Sequence, residues 1–586
     1  MSANRELQRI FDELAAGIDL LGGNSFRASS YRRVARTLRD LATDVRELVA
    51  RDHATAAPRL AELPGIGKGA AQRILEYLDR GAIAEHQELL AQVPAGVFAL
   101  LGIPGIGPQA AKTLWRDLGV ESVDDLRRML ERDAVAELPR MGAKTVANLR
   151  AAIDFRAKTA DRVPIGRALP LARVLVARLG ALEGVTRAAW AGSLRRGLET
   201  VGDLDLLVAC ATPEKVREAF LGMPEVERVL ARGATRCSVR LRADGVSLQA
   251  DLRIVPRTSW GAALLYFTGS KEHNVALRER AIRRGLRLNE YGLYRGEPPR
   301  PQQRGAQPVA AADEEGIYRA LDLPWVPPEL REEGVDPVLI PADLIELGDL
   351  RAELHAHTTA SDGKLGIDEL AAAAKARGYH TLAITDHSPS SVIARGLSPD
   401  RLRGHVAAIR EADARIRGIR LLAGTEVDIL PDGRLDYSDE VLAGLDVVVA
   451  SPHASLRQGR AQATRRLLAA IRHPLVHVLG HPTGRFVGQR AGLDPDLPAL
   501  LAAAAEHGTA LELNANPRRL DLCDRHVRAA LEAGCLIALN TDAHSERGFD
   551  HLPYGVAAAR RAGLGRSRCL NAWTRPRLER WLARKR

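Results

Sequence analysis

Between residues 351 and 586, one short apolar run after another ends in a metal-binding side chain. The runs are Leu354-His355-Ala356-His357, Ile384-Thr385-Asp386-His387, Gly424-Thr425-Glu426-Val427-Asp428, Ala450-Ser451-Pro452-His453, Leu479-Gly480-His481-Pro482 and Asn540-Thr541-Asp542-Ala543-His544, and Asp362 follows the first in a Ser-Asp-Gly turn. Helical stretches separate them. Strands alternating with helices form parallel sheets, and in a barrel the carboxyl ends of the strands meet at one mouth. Six such ends would ring that mouth with nitrogen and oxygen donors. A lone histidine is ordinarily a core or surface residue, but 13 of the chain's 16 histidines fall in this stretch. Mixed donors suit Zn²⁺, Mn²⁺ or Fe²⁺ better than Mg²⁺ alone. His380, His405, His473, His477, His507, His526 and His551 fit no run and read as structural or solvated. Asp386 and Asp428 read equally as partners that orient ligands and as surface salt-bridge residues, and Arg485, Arg518 and Arg519 equally as mouth residues able to clamp phosphate and as solubilising surface charge.

A second centre lies upstream. Gly192-Ser193-Leu194-Arg195-Arg196-Gly197 is followed by Gly202-Asp203-Leu204-Asp205 and an apolar strand-like run. Side chains at i and i+2 of a strand share a face, so Asp203 and Asp205 can hold one cation together. Asp251 opens another strand-like run and supplies a third acid for a metal pair. The glycine-bracketed turn and Arg196 are placed to receive a triphosphate beside it.

In the first 150 residues, Leu63-Pro64-Gly65-Ile66-Gly67-Lys68 and Ile103-Pro104-Gly105-Ile106-Gly107-Pro108 each precede an alanine-rich helical pattern, as in helix-hairpin-helix motifs. Gly65, Gly67, Gly105 and Gly107 let the backbone approach a DNA phosphate, and the next helix offers free N–H groups and a favourable dipole. Such contacts hold DNA without reading its sequence. Leu138-Pro139-Arg140-Met141-Gly142-Ala143-Lys144 is a degenerate third copy. A net charge of +11 favours a polyanionic partner. Five scattered cysteines without a Cys-x-x-Cys pair fit a reducing cytoplasm, and no run has the length of a membrane span.

Four ordered motifs, Gly-Ser-x-Arg-Arg-Gly, Gly-Asp-x-Asp, Asp251 and Tyr266-Phe267-Thr268-Gly269-Ser270, resemble the palm of the family X DNA polymerases, the family of DNA polymerase beta. The resemblance implies that Asp203, Asp205 and Asp251 bind Mg²⁺ or Mn²⁺ and that Ser193, Arg196 and Gly202 contact the incoming nucleotide's phosphates. It places Tyr266, Phe267 and Gly269 against the sugar, Asn274 toward the base, and Arg278 and Tyr291 on the template side. Lys271 and Gln249 depart from polymerase beta, which has an aspartate and an arginine there; the Gln249 change predicts slower incorporation. The segment Asn24-Ser25-Phe26-Arg27-Ala28-Ser29-Ser30-Tyr31-Arg32-Arg33 resembles the same family's 5'-end binding domain. Arg73 stands where lyase-active relatives carry a Schiff-base lysine, so deoxyribose phosphate lyase activity is expected to be weak or absent. The donor order His-x-His, Asp, His, Glu, His, His, Asp-x-His resembles the PHP (polymerase and histidinol phosphatase) domain, with three divalent metals, Zn²⁺ or Mn²⁺ and optionally Fe²⁺. By that resemblance His355, His357, Glu426 and Asp542 hold one metal, Glu426, His453 and His481 a second, and Asp362, His387 and His544 the third.

The expected architecture is multidomain. A small helical 5'-end domain (1–80) and a second helical DNA-binding subdomain (81–160), each with a helix-hairpin-helix motif, precede an α+β nucleotidyltransferase palm (161–262) and a thumb-like subdomain (263–331). An acidic, proline-containing linker (332–346) leads to a distorted (β/α)7 PHP barrel (347–586). The expected function is short-gap filling in DNA repair, coupled to 3'-5' exonuclease or other 3'-end processing and abasic-site incision. Expected partners are gapped or nicked DNA with a 5' phosphate and dNTPs; the protein is expected to be a cytoplasmic, nucleoid-associated monomer. Two alternatives are a repair scaffold with one or both centres idle, and a PHP domain acting as a small-molecule phosphatase.

Overall fold

The computed structural model of the chain describes residues 3–41, 44–49, 56–63, 65–101, 103, 106–138, 141–143, 145–147, 149–150, 153, 162–243, 245–296, 305–332 and 340–585. It divides into two compact units, Met1–Asp161 with Arg242–Ser247, and Arg162–Leu241 with Leu248–Arg586.

The first unit is helical. Helix Ala3–Leu21 repeats apolar residues at helical spacing and packs Leu7, Phe11 and Leu14 against Val34 and Leu38 of Ser25–Asp40. Asn24 caps the second helix by accepting from the Phe26 and Arg27 N–H groups. Ile66, Ile74, Ile106 and Leu114 from the two hairpin segments complete this core.

The second unit joins an open sheet to a barrel. In the sheet, strand Asp203–Cys210 lies between Val185–Trp190, antiparallel, and Val246–Val255, parallel. Its Leu206–Ala209 run is buried, so only its amino-terminal end can carry acids cheaply. Asp251 does not open its strand, as the apolar run Leu252–Val255 suggested. The strand runs back to Val246, and its pairing with Asp203–Cys210, which begins at the polar Gln249, places Asp251 directly beside Asp205. Helices Trp260–Thr268 and Lys271–Arg283 and the hairpin Leu286–Asn289/Gly292–Arg295 follow, closed by Ile317, Tyr318 and Leu321.

Seven parallel strands in sequential order, Ala352–Glu353, Thr381–Ile384, Arg420–Asp428, Val447–Ser451, Val478–Leu479, Ala510–Asn514 and Ile537–Asn540, form the barrel. A bridge from Ala356 to Ala543 draws the first and last together at the carboxyl ends. The opposite end is filled by Trp573, Leu578, Trp581 and Leu582. Residues 333–339 of the expected linker lie outside the described residues. Residues 343–345 pair with the barrel's last segments: Ile345 N–H donates to Leu564 O, and Asp343 accepts from Ser567 N–H.

Candidate active sites

The first site surrounds the amino-terminal end of strand Asp203–Cys210. Register pairs Asp205 with Asp251 and Asp203 with Gln249, so three carboxylates gather across two strands. Burial first, and then Asp203 and Asp251, push the Asp205 carboxyl up to about 7. Asp203 is raised by burial and by Asp251. Mutually repelling acids that lack a counter-cation are the donor set a divalent metal fits. Asp251 accepts from the Ser238 hydroxyl and from Gln249 Nε2, the latter at 2.9 Å. The glycine at 192 is required by space: its backbone is left-handed (φ +58°), and a Cβ would lie 2.0 Å from Asp205 Oδ2.

A cavity of about 560 Å³ opens onto these acids, lined by Ser193, Arg196, Gly202, Asp203, Asp205, Tyr266, Phe267, Gly269, Asn274 and Arg278. Arg162 and Lys271 line it as well, and nothing in the sequence pattern marked Arg162. Its guanidinium donates to Thr200 Oγ1 and O at 2.9 and 2.6 Å, beside Asp203. Tyr291 sits in the hairpin turn, outside the lining.

The second site is the barrel mouth, where all nine expected donors converge. His355 and His357 follow the first strand, Glu426 sits within the third, and His387, His453, His481 and the Asp542–His544 pair lie just beyond their strands. Glu426 is the hub: its Oε1 is 3.3 Å from His355 Nε2, 3.2 Å from His453 Nε2 and 2.8 Å from His481 Nε2, and its Oε2 is 2.8 Å from His387 Nδ1. Asp362 Oδ1 lies 3.4 Å from His387 Nε2 and 3.3 Å from His544 Nε2. The His357 ring stacks against those of His387 and His544, and its Nε2 is 3.1 Å from Asp542 Oδ1. His481 and Asp542 both adopt positive φ, 23° and 54°, a strained backbone that recurs where function fixes a side chain.

Four groups of ligand atoms have the compactness of a metal site: His357/Asp362/His387/His544, His355/His357/Asp542, His355/Glu426/His481 and His387/Glu426/His453. The grouping differs from the expected one: His357 also joins Asp362, His387 and His544, Glu426 is parted from His357 and Asp542, His355 also joins His481, and His453 joins His387 instead of His481. His355 Nε2, His387 Nδ1, both Glu426 oxygens and both His481 nitrogens are buried without a hydrogen-bond partner. Orphans of this kind are costly unless a cation takes them. The residues therefore fit a metal cluster.

Other side chains aim the ligands. Glu512, fully buried, accepts His355 Nδ1–H at 2.7 Å and His481 N–H at 2.7 Å, which turns His355 Nε2 inward. Asp428 does the same for His453 at 2.9 Å, and the Asp542 carbonyl for His544 at 2.8 Å. Asp386 accepts from Thr358, Ser361 and His405, fixing the loop that carries Asp362. Burial would raise the Glu426 carboxyl, but His453, His355 and His387 hold it well below the carboxylate range. His357 is driven down to about 4 by burial, His544 and His387, so it stays neutral as a ligand must. Among the mouth arginines, Arg519 Nε lies 3.8 Å from Asp542 Oδ2. Arg485 has a different job: its guanidinium pairs with Glu199 at 2.5 Å and donates to Arg519 O and Leu520 O, tying the barrel to the sheet.

In the helical unit, Gly65 has φ +84°, and Gly67 and Gly107 are the N-caps of Lys68–Arg80 and Pro108–Leu118. A Cβ at Gly67 or Gly107 would meet nothing within 4 Å, so both helix starts are open. Gly105, with Pro64, Pro104, Pro139, Arg140 and Lys144 of the hairpin motifs, lies outside the described residues. Arg73 and Arg27 pair with Glu85 at 2.6 and 2.5 Å, and Tyr31 OH donates to the same carboxylate.

Comparison with known proteins decides the family. Residues 2–83 match a helix-hairpin-helix domain, 98–154 a SAM-like helix-hairpin-helix tandem, 263–332 the DNA polymerase beta thumb and 353–516 the PHP domain. The DNA polymerase/3'-5' exonuclease PolX of Bacillus subtilis is 37% identical over 582 residues, covering 99% of both chains. The chain belongs to the family X DNA polymerases that carry a PHP domain. DNA polymerase lambda of Rattus norvegicus is 23% identical over 53% of both chains, and a probable phosphatase of Edwardsiella ictaluri 31% identical over 38% of this chain and 89% of its own. Within this family X chain, sequence reasoning missed Glu512 and Arg162. Glu512 carried one usable signal, an acid inside an otherwise apolar strand run.

Proposed function

We propose that this chain is a DNA-directed DNA polymerase that fills short gaps during DNA repair, and that its barrel shortens or cleans the 3' end. The observation that carries the reading is the coexistence in one chain of a cavity lined by Asp203 and Asp205, with Asp251 paired beside Asp205, and a barrel mouth where nine donor residues gather. The substrates are dNTPs and gapped or nicked DNA with a 5' phosphate, bound by a monomer in the cytoplasm near the nucleoid.

Divalent cations, Mg²⁺ or Mn²⁺ on the aspartates and Zn²⁺, Mn²⁺ or Fe²⁺ in the barrel, would neutralise developing phosphate charge and acidify the attacking hydroxyl or water. The chain's own residues do the rest. Asp203, Asp205 and Asp251 hold the polymerase cations; Ser193, Gly202 and Arg196 receive the triphosphate; Tyr266, Phe267 and Gly269 wall the sugar; Asn274 faces the base; Arg278 and Tyr291 face the template. His355, His357, Asp362, His387, Glu426, His453, His481, Asp542 and His544 hold the barrel cations, with Arg519 positioned for a phosphate at the mouth. Gly65, Gly67, Gly105 and Gly107 meet the DNA backbone, the arginines of residues 24–33 meet the 5' phosphate, and Arg73, at the Schiff-base position, supplies no lyase chemistry. We divide the chain at 80, 160, 262, 331 and 346.

The test uses a 5'-labelled primer on a one-nucleotide gap with Mn²⁺, with and without dNTPs. Asp205→Ala should lose extension alone, and His355→Ala/His357→Ala should lose shortening alone. Unchanged activities in both variants would return the scaffold reading, and greater activity on histidinol phosphate than on DNA ends would favour a small-molecule phosphatase.

A further inference from the structure

The nucleotide turn of the polymerase centre rests on a helix of the barrel. Gly197 closes that turn, and a Cβ there would lie 2.9 Å from Ala557 Cβ on helix Leu552–Ala562. One turn further along the same helix, Arg561 Nη1 donates to the Arg196 carbonyl at 3.1 Å and to Glu332 Oε1 at 3.0 Å. That same Glu332 oxygen accepts from Arg196 Nε at 3.0 Å, while Arg196 Nη1 donates to Thr268 O at 2.5 Å. Arg561 Nε is held by Asp524 Oδ2 at 2.8 Å. Two guanidiniums, both largely buried, thus share one carboxylate oxygen at the edge of the nucleotide cavity.

Charge decides what this arrangement does. Arg196 and Arg561 balance Glu332 and Asp524, so the cluster is neutral. Without Arg561 it would carry one net negative charge, with Glu332 left to Arg196 alone, and an incoming triphosphate would compete against that carboxylate in a partly desolvated place. We infer that Arg561, a residue of the PHP barrel, is a positioning residue of the polymerase centre: it draws off the charge of Glu332 and keeps Arg196 available to the nucleotide. The inference rests on reading Arg196 as a triphosphate contact. It makes the barrel part of the nucleotide site irrespective of nuclease chemistry.

Steady-state incorporation of one dNTP by the full chain tests it, with primer shortening in Mn²⁺ as the control for folding. Arg561→Gln should raise KM for dNTP about three- to tenfold with kcat little changed and shortening intact. Adding Glu332→Gln to it restores the charge balance and should return KM toward the parent value, and Glu332→Gln alone should lower KM. A loss of packing would not be reversed in this way. Unchanged KM in Arg561→Gln, or a raised KM that Glu332→Gln fails to restore, overturns the inference. If Arg561→Gln does not fold, a KM in Glu332→Gln equal to or above the parent's overturns it as well. Arg196→Gln separates the two levels: if it leaves KM unchanged, the triphosphate reading falls and takes this inference with it, whereas a raised KM there beside unchanged Arg561 variants removes the inference alone.

Discussion

Both oxygens of Glu512 are committed to residues expected to hold metal, one to His355 and one to the His481 backbone. Glu512→Gln would present an amide N–H to one of these donors and release His355 from its orientation. We expect the purified variant to lose metal by elemental analysis and its shortening activity to fall about 10- to 100-fold, with extension retained; a full metal complement would disprove this role. At the other centre, Gln249 gives Asp251 a neutral hydrogen bond. An arginine there would favour the ionised carboxylates, including Asp205, whose carboxyl stands at about 7. Gln249→Arg should therefore incorporate faster than the parent. A variant no faster than the parent counts against the assignment. Eight of the nine donors were legible because they stand at the ends of apolar runs, and Asp362 because it follows the first of them in a turn. Glu512 was not, because its partner lies 157 residues away.

Among the elements, the joint between the nucleotide turn and the thumb-like subdomain depends on a buried carboxylate. Glu314, first residue of helix Glu314–Ala320, accepts from Arg195 at 2.8 Å and from Arg331 at 2.6 and 3.0 Å. Burial would raise this carboxyl, but the two guanidiniums hold it down at about 2. A folded-state value depressed from 4.5 contributes stability that is complete above about pH 4.5 and is lost as pH falls toward 2. The drop of about 2.5 units corresponds to about 3 kcal/mol. Urea unfolding of Glu314→Gln should show a deficit of about that size at neutral pH, since two buried arginines lose their counter-charge, and the gap to the parent should close below pH 4.5. A gap independent of pH would refute the assignment. The strand through Asp251 shows the limit of reading elements from pattern: its apolar half was visible, but its first half is held as a strand by neighbours on both sides of it in the sheet.

For the whole molecule, the sheet and the barrel belong to one compact unit, joined by Arg485–Glu199 and Arg560–Glu329 as well as by Arg561. Metals bound at a thousandfold over their dissociation constant would stabilise that unit by about 4 kcal/mol. Chelation should accordingly lower one calorimetric transition and leave that of the helical unit in place, and after heating, extension should fail together with shortening. Extension that outlasts shortening in chelated protein would show that the two modules unfold separately. None of the described helices is long and apolar enough to cross a membrane.

By itself the sequence determined the chemistry: which residue types stand at strand ends and turns, and hence two centres, a helical DNA-holding segment and a parallel barrel. These depend on local periodicity and on motifs a few residues long, which survive without knowledge of neighbours. Only the tertiary structure decided that His355 is aimed by Glu512, that Arg485 binds the palm instead of a phosphate, and that Arg561 of the barrel reaches the nucleotide turn. Those contacts join residues from 157 to 365 positions apart, and which distant side chains meet is set by how sheet and barrel pack, a property that no local pattern encodes.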